Sequence, residues 1–188
     1  MAGSRKWRHV KAVGASFAVL IAEEMFASGC QLLISVTSSG QIVPIRTPPY
    51  FILIDRALRD EGTSYHYMAA SEYSNADPAL VAALDGAFDA LSVPVLTGAT
   101  WTTDAPFRET QPAIDAMREK NLMAVEMEAA ALYAFAHVRQ KPVLCFAHVT
   151  NQMGRIEGDF EKGEADGSKD SLDLIAIAAD RLRSRLRP

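Results

Sequence analysis

The sequence predicts an α/β fold in which helices flank a central sheet. Segments with the apolar pattern of buried strands alternate along the chain with segments of helical periodicity, as in layered α/β domains. The 188 residues, 49% of them hydrophobic, are enough to bury one sizeable core. No internal repeat, low-complexity segment or long linker divides them. We therefore expect residues 1–188 to form one three-layer domain.

The chain is predicted to begin with a helix followed by a strand. Residues 17–28 have a helical pattern that stops at Gly29, and glycine commonly follows the last helical residue. Residues 31–36 are apolar and predict a buried strand. The polar residues 37–40 predict a turn after it.

Two further strands and a helix are predicted next. Residues 50–54 are apolar, and residues 65–68 are compatible with a short strand. Asp77 followed by Pro78 is typical of a helix start, because aspartate caps the free amides and proline fits the first turn. This helix is expected to run to about residue 91.

The second half of the sequence continues to alternate between strands and helices. Apolar runs predict strands, and runs with helical spacing predict helices. The predicted strands cover residues 93–101, 122–125 and 142–149, and the predicted helices cover residues 109–120 and 128–138 and begin again at residue 168.

Charge and composition favour a small-molecule ligand. The net charge of -4 gives no electrostatic reason to expect nucleic acid or an anionic membrane as a partner. No apolar stretch approaches the roughly 20 residues that a membrane span requires. A basic and apolar N-terminal region resembles an export signal, but Glu23 and Glu24 follow it directly, so a cytoplasmic location is expected. Cys30 and Cys145 have no metal-ligand spacing, and no metal site is predicted.

The most informative segment is residues 98–133, GATWTTDAPFRETQPAIDAMREKNLMAVEMEAAALY. It places Glu126, Met127 and Glu128 where an apolar strand is predicted to turn into a helix, and such boundaries often bind ligands in α/β proteins. A purely structural explanation is also open. A carboxylate in a first helical turn is favoured by the helix dipole, and methionine commonly fills gaps in a core.

The run VEMEAA resembles the ribose-binding motif of the nucleoside phosphorylase and nucleosidase superfamily. The resemblance covers about residues 13–186 and is tightest over 98–151. It implies a mixed, partly barrel-like sheet flanked by helices, as in phosphorylase/hydrolase-like folds. It also implies that Glu126, Met127 and Glu128 hold the sugar of a nucleoside.

The same resemblance makes Asn151 a candidate catalytic residue beside Glu128. Asn151 follows the apolar run VLCFAHVT, at the position where nucleosidases and hexameric purine phosphorylases carry an aspartate. An asparagine cannot donate a proton, but its amide can stabilise a leaving base by hydrogen bonding. Uridine phosphorylases and trimeric purine phosphorylases are similar in having asparagine near this position. The alternative is a turn residue that caps the strand end.

Four further residues are candidates for contacts with the base. Val125, Trp101 and Phe107 are expected to wall it. Arg108 is expected either to meet a base carbonyl or to be an exposed helix-start residue paired with a neighbouring acid.

The expected phosphate site departs from the family pattern. In ISVTSSGQI, Ser35 stands where the resemblance implies an arginine, and Thr37 and Ser38 replace glycine and threonine. Serine does not replace the charged, often bidentate contact of arginine with phosphate. Hydroxyls and backbone amides of Thr37, Ser38, Ser39 and Gly40 are left as a weak phosphate site. The family's usual N-terminal phosphate-binding unit is not recognised before residue 13.

Three functions remain open from the sequence. The first is phosphorolysis of a purine or pyrimidine nucleoside to free base and ribose 1-phosphate, with inorganic phosphate as co-substrate and no other cofactor. The second is a nucleosidase that uses water. The third is a catalytically impaired nucleoside-binding or assembly protein. The segment RDEGTSYHY, residues 59–67, resembles one near subunit interfaces, so a homo-oligomer, a dimer or a trimer of dimers, is expected.

Overall fold

A mixed sheet of six strands organises the molecule. The computed structural model describes residues 8, 10–152 and 167–183. The strand order is β3-β2-β4-β5-β1-β6, and β2 also pairs with β6, so five strands close into a barrel-like sheet with β3 at its edge. The strands are β1 (Leu33–Gln41), β2 (Tyr50–Asp60), β3 (Tyr73–Asn75), β4 (Val95–Thr103), β5 (Ala124–Glu126) and β6 (Val143–Gln152).

The strand directions are mixed, as expected. β1 is parallel to β6, and β4 is parallel to both β2 and β5. β5 is antiparallel to β1, and β2 is antiparallel to β3 and β6. The prediction of an α/β domain with a mixed, partly barrel-like sheet is confirmed.

Helices cover both faces of the sheet and give the predicted layers. Helices α1 and α5 share one core cluster with alternate residues of β2 and β6. The intervening residues of those strands pack with α3 and α6, and α4 contributes Ile114 to a third cluster. The helices are α1 (Ala15–Ala27), α2 (Ser64–Tyr67), α3 (Pro78–Ala83), α4 (Gln111–Glu119), α5 (Ala129–Arg139) and α6 (Ser168–Leu182).

The first half of α5 is fixed against the sheet by small side chains and one tyrosine. Three consecutive alanines after Glu128 are buried and let the helix approach the strands closely. The Tyr133 hydroxyl donates to the carbonyl of Ile54 at 2.6 Å and accepts the N–H of Cys145 at 3.0 Å. Tyr133 therefore connects α5 with β2 and β6, and it orients the start of the helix where the candidate site lies.

The polar stretch 37–40 belongs to β1, so the predicted turn is wrong. Gly40 pairs with Val125 of β5 on one side and with Asn151 of β6 on the other. The ladder with β6 runs along the whole stretch, and the pairing of its backbone groups outweighs the local preference of serine and glycine for turns.

Two other segments differ from the predictions. Residues 65–68 were expected to form a strand but lie largely in helix α2, where the carboxylate of Glu61 accepts the N–H of Ser64 at 3.0 Å. The predicted cap of α3 is confirmed, because Asp77 Oδ1 accepts the N–H of Ala79 at 2.8 Å. The helix ends at Ala83, earlier than predicted, and Gly86 then takes a positive φ of 65°.

Within the described residues, no helix is both long enough and apolar enough to cross a membrane.

Candidate functional site

One row of paired residues brings the candidate segments together. Trp101 lies opposite Val125, Val125 opposite Gly40, and Gly40 opposite Asn151. Val125 and Asn151 are thus two strand spacings apart, about 10 Å. The predicted sugar motif and the predicted base residue flank the same strand, β1.

Glu128 is a buried carboxylate with three hydrogen-bond donors. Its side chain is 5% exposed, between the end of β5 and the start of α5. Oε1 accepts the N–H of Gly14 at 2.7 Å. Oε2 accepts the hydroxyl of Thr37 at 2.8 Å and the N–H of Met127 at 3.3 Å. A carboxylate can accept about four hydrogen bonds, so the geometry leaves acceptor capacity for a ligand hydroxyl.

Glu126 faces into the protein and holds the turn between β5 and α5. Its Oε1 accepts the hydroxyls of Thr100, at 3.2 Å, and of Thr102. Its Oε2 accepts the N–H groups of Glu128 and Ala129, both at 2.7 Å. Four donors from the chain occupy this carboxylate, which supports a role in shaping the backbone beside Glu128.

Burial makes Glu126 titrate near neutrality. Desolvation raises the pKa of its carboxyl to about 7; the hydrogen bond from Thr102 opposes this shift, and the charge of Glu128 adds to it. The proton on Glu126 is therefore sensitive to pH in the range where enzymes usually work. A change in the charge of Glu126 would alter its hydrogen bonds to the N–H groups of Glu128 and Ala129, at the start of α5.

The structure places Trp101 and Val125 in the core, and their expected role as walls of the base stays a prediction. Both side chains are buried in the cluster that also contains Ile114 of α4. Side chains alternate along a strand, so Val125 points away from the face on which the neighbouring Glu126 meets Thr102.

Phe107 and Arg108 are both exposed to solvent in the described part of the chain. They lie in a single 3₁₀ turn, Pro106–Arg108, that was not predicted, and the Phe107 ring is fully exposed. Met127 and Asn151, by contrast, are half-buried beside the candidate site. Met127 lies in the turn that carries Glu128, and Asn151 lies near the end of β6.

The four residues expected to bind phosphate do not form one cradle. Thr37 donates to Glu128, whereas the Ser38 hydroxyl lies 3.4 Å from that of Thr150, on the other face of the sheet. The buried Ser39 hydroxyl has no hydrogen-bond partner in the described part of the chain. Gly40 is paired on both sides. These residues lie in a strand and not in a turn, and their role as a weak phosphate site stays a prediction.

Sequence reasoning missed the two long-range partners of Glu128. Gly14 is distant in sequence and precedes α1, and Thr37 was assigned to phosphate. The strand signal in residues 31–36 could have placed Thr37 in a sheet, but no local pattern pairs it with Glu128. The sequence predicts that the family's N-terminal phosphate-binding unit is missing before residue 13. Most of that segment lies outside the described residues.

Comparison with known proteins agrees with the fold and the motif. The sequence matches the phosphorylase superfamily over residues 3–184. It is 24% identical over 175 residues to a guanosine phosphorylase of Halorubrum lacusprofundi, across 93% of this chain and 70% of the relative. It is 29% identical over 181 residues to a uridine phosphorylase of Thermococcus kodakarensis, across 89% of this chain and 64% of the relative.

The chain therefore spans about two thirds of the length of these relatives. The family resemblance of the VEMEAA segment is confirmed by a match that covers nearly the whole sequence. The chain belongs to the phosphorylase superfamily.

Proposed function

We propose that this protein cleaves the N-glycosidic bond of a nucleoside by phosphorolysis, giving the free base and ribose 1-phosphate. The observation that carries the proposal is Glu128, a buried carboxylate held at both oxygens beside a strand that also pairs with Asn151. The superfamily and the names of both relatives support it.

The proposed chemistry follows from the charges that develop as the bond breaks. The sugar gains positive charge in an oxocarbenium-like transition state. Glu128 accepts hydroxyls of the ribose, and its negative charge opposes the growing positive charge in a site of low dielectric constant. Met127 packs beside the sugar.

Asn151 is proposed to act on the departing base. Its amide donates a hydrogen bond to a base atom that gains negative charge, and it can also accept one from a ring N–H. Gly40, its partner across the ladder, is three residues along β1 from Thr37, about 10 Å. Glu128 and Asn151 therefore bracket a segment of β1 that a sugar joined to a flat base can cover.

The identity of the base in the substrate is also a matter of proposal. One relative is named for a purine nucleoside and the other for a pyrimidine nucleoside. An asparagine amide can pair with carbonyl and N–H groups of either ring. Guanosine and uridine are therefore the first substrates to test.

A hydrolytic nucleosidase is the second candidate. Ser35 stands where a phosphate-binding arginine is expected, and the hydroxyl of Thr37 donates to a carboxylate instead of facing an anion site. Both observations favour a neutral nucleophile, because water needs no cationic site.

The experiment measures base release from guanosine, inosine, adenosine and uridine, each with and without inorganic phosphate. We expect release from at least one nucleoside that depends on phosphate, and its loss in Glu128→Ala. Release without phosphate would instead identify a hydrolase. Tight nucleoside binding without release would identify a binding protein and contradict the proposal.

Assembly and location are proposed alongside this activity. We expect a homo-oligomer, a dimer or a trimer of dimers, in the cytoplasm. Sedimentation equilibrium measures the oligomeric state, and a monomer at assay concentration would contradict the expected assembly. Fractionation of the cells that produce the protein tests the expected cytoplasmic location.

A further inference from the structure

The Thr37 side chain of β1 contacts Glu128, which follows the end of β5. β1 pairs antiparallel with β5 at Gly40–Val125 and Gln41–Ala124, and Glu128 lies two residues beyond the last residue of β5. The Thr37 hydroxyl is 2.8 Å from Glu128 Oε2 and 3.4 Å from the carbonyl of Ser38. A hydroxyl has one proton to donate, and the shorter contact to a charged acceptor takes it.

Gly14 holds the other oxygen of the same carboxylate. Its N–H donates to Glu128 Oε1 at 2.7 Å, and Gly14 caps the start of α1 with a φ of 88°, a left-handed conformation that favours glycine. The terminal torsion of a glutamate is otherwise broad. Donors from β1 and α1 on separate oxygens therefore fix the plane of the carboxylate.

This geometry does not suit Thr37 to phosphate. Its proton is directed at Glu128, so its remaining lone pairs could only accept hydrogen bonds, and a phosphate anion offers mainly acceptor oxygens. A phosphate placed on this hydroxyl would also lie close to the Glu128 charge, and like charges repel.

We propose that Thr37 is a positioning residue that orients Glu128 toward the ribose hydroxyls, and not a phosphate ligand. The proposal rests on the function proposed above. It also assigns a sugar-side role to a position where the resemblance implied a glycine of the phosphate turn. The ribose site of this chain is then set by three segments, β1, the β5–α5 turn and the start of α1.

The experiment compares Thr37→Val with Thr37→Ser in the full chain. Valine keeps the branched shape and removes the donor, whereas serine keeps the hydroxyl. We expect T37V to lower kcat/KM for the nucleoside by about 10-fold to 100-fold, the size expected for losing a hydrogen bond to a charged group. T37S should stay within about threefold of the original protein, and the KM for phosphate should not change in either variant.

A 2′,3′-dideoxynucleoside separates positioning from general damage. It lacks the hydroxyls that Glu128 is proposed to bind, so T37V should lose less activity on it than on the ordinary nucleoside. A merely structural defect in T37V would slow both substrates alike. If T37V does not fold, Thr37→Ala at lower temperature makes the same comparison.

The outcomes decide the proposal separately from the overall function. A raised KM for phosphate in T37V, or equal losses in T37V and T37S, would overturn it, and so would a T37V that behaves like the original protein. If the original protein releases no base, the proposed function fails, and calorimetric Kd values for the nucleoside make the same T37V and T37S comparison. Absence of any nucleoside binding would overturn both proposals.

Discussion

Glu128 is held by three donors, none of which carries a charge. The Gly14 and Met127 amides and the Thr37 hydroxyl fix the carboxylate without neutralising it. An ion pair would have reduced its effect on a positively charged sugar, whereas neutral donors leave its full charge available. This is why the residue is central to the proposed chemistry.

Glu128→Gln tests the charge while keeping the shape. The glutamine can still accept the Gly14 N–H and bind ribose hydroxyls, but it cannot oppose the positive charge of the transition state. We expect kcat to fall by about 10²-fold to 10³-fold, with a smaller change in KM, measured by steady-state base release. Unchanged kcat in a folded E128Q would contradict an electrostatic role.

Asn151→Ala tests stabilisation of the departing base. The lost amide should slow cleavage by about 10-fold to 100-fold for an ordinary nucleoside. A nucleoside whose base leaves more easily needs less help, so the loss should be smaller with such a substrate. Equal losses on both substrates would indicate that Asn151 acts elsewhere.

At the level of elements, the strand β1 shows where sequence reasoning succeeds and where it ends. Its apolar beginning and the strand and helix around Met127 were predicted from pattern alone. Residues 37–40 were not, because their polar groups are paired by β6, by β5 at Gly40, and by Glu128 and Thr150, which are far away in sequence. Local composition contains no information on such partners.

Part of the candidate site was identified from the sequence, and the roles of its residues stay predictions. The motif around Glu128 could be found from its residues and its resemblance, and so could Asn151. The inward orientation of Glu126 and the burial of Trp101 depend on which face of β4 and β5 meets α5, and short strands do not reveal this. The exposed Phe107 depends on a loop with no periodic signal.

Tyr133→Phe tests the connection of α5 to the sheet. The change removes the hydroxyl that pairs with the buried carbonyl of Ile54 and the N–H of Cys145. Leaving buried polar groups unpaired costs roughly 1–3 kcal/mol, so the free energy of unfolding in urea should fall by about that amount.

A matched tyrosine provides the control. Tyr67 donates to Glu23 at 2.9 Å in a less buried place, so Tyr67→Phe should cost less than about 1 kcal/mol. Equal effects of the two changes would argue against a special role for Tyr133. The Glu128 site should remain active in Y133F below its unfolding temperature.

For the molecule as a whole, closure of the barrel was the least predictable feature from local pattern. It depends on the antiparallel pairing of β2 with β6, which lie far apart in the sequence. Only the family resemblance indicated a barrel-like sheet, whereas alternation of strands and helices indicated the layers. Closure surrounds the buried carboxylates with low-dielectric protein. Its effect on the pKa of Glu126 can be detected in the pH dependence of the free energy of unfolding.

Stability should depend on pH through Glu126. The pKa of its carboxyl is about 7 in the folded protein and 4.5 ordinarily, so the folded state binds the proton more tightly. The stabilisation is fully present below pH 4.5 and is lost as the pH rises through 7. The loss amounts to about 3 kcal/mol, at about 1.4 kcal/mol per pKa unit.

Glu126→Gln isolates this effect. Glutamine can accept the two amides of the α5 turn and donate to the threonine hydroxyls, but it does not titrate. Unfolding in urea across pH 4.5–8 should show the original protein losing stability relative to E126Q as the pH rises. Parallel profiles would show that Glu126 keeps one charge state throughout.

The most direct test of the central claim is the ratio of ribose 1-phosphate formed to base released, measured in phosphate buffer by phosphorus-31 NMR and chromatography. Phosphorolysis at the Glu128 site predicts equal amounts of the two products, and none of either in E128A. Free ribose in place of ribose 1-phosphate, or no base release from any nucleoside, would contradict it.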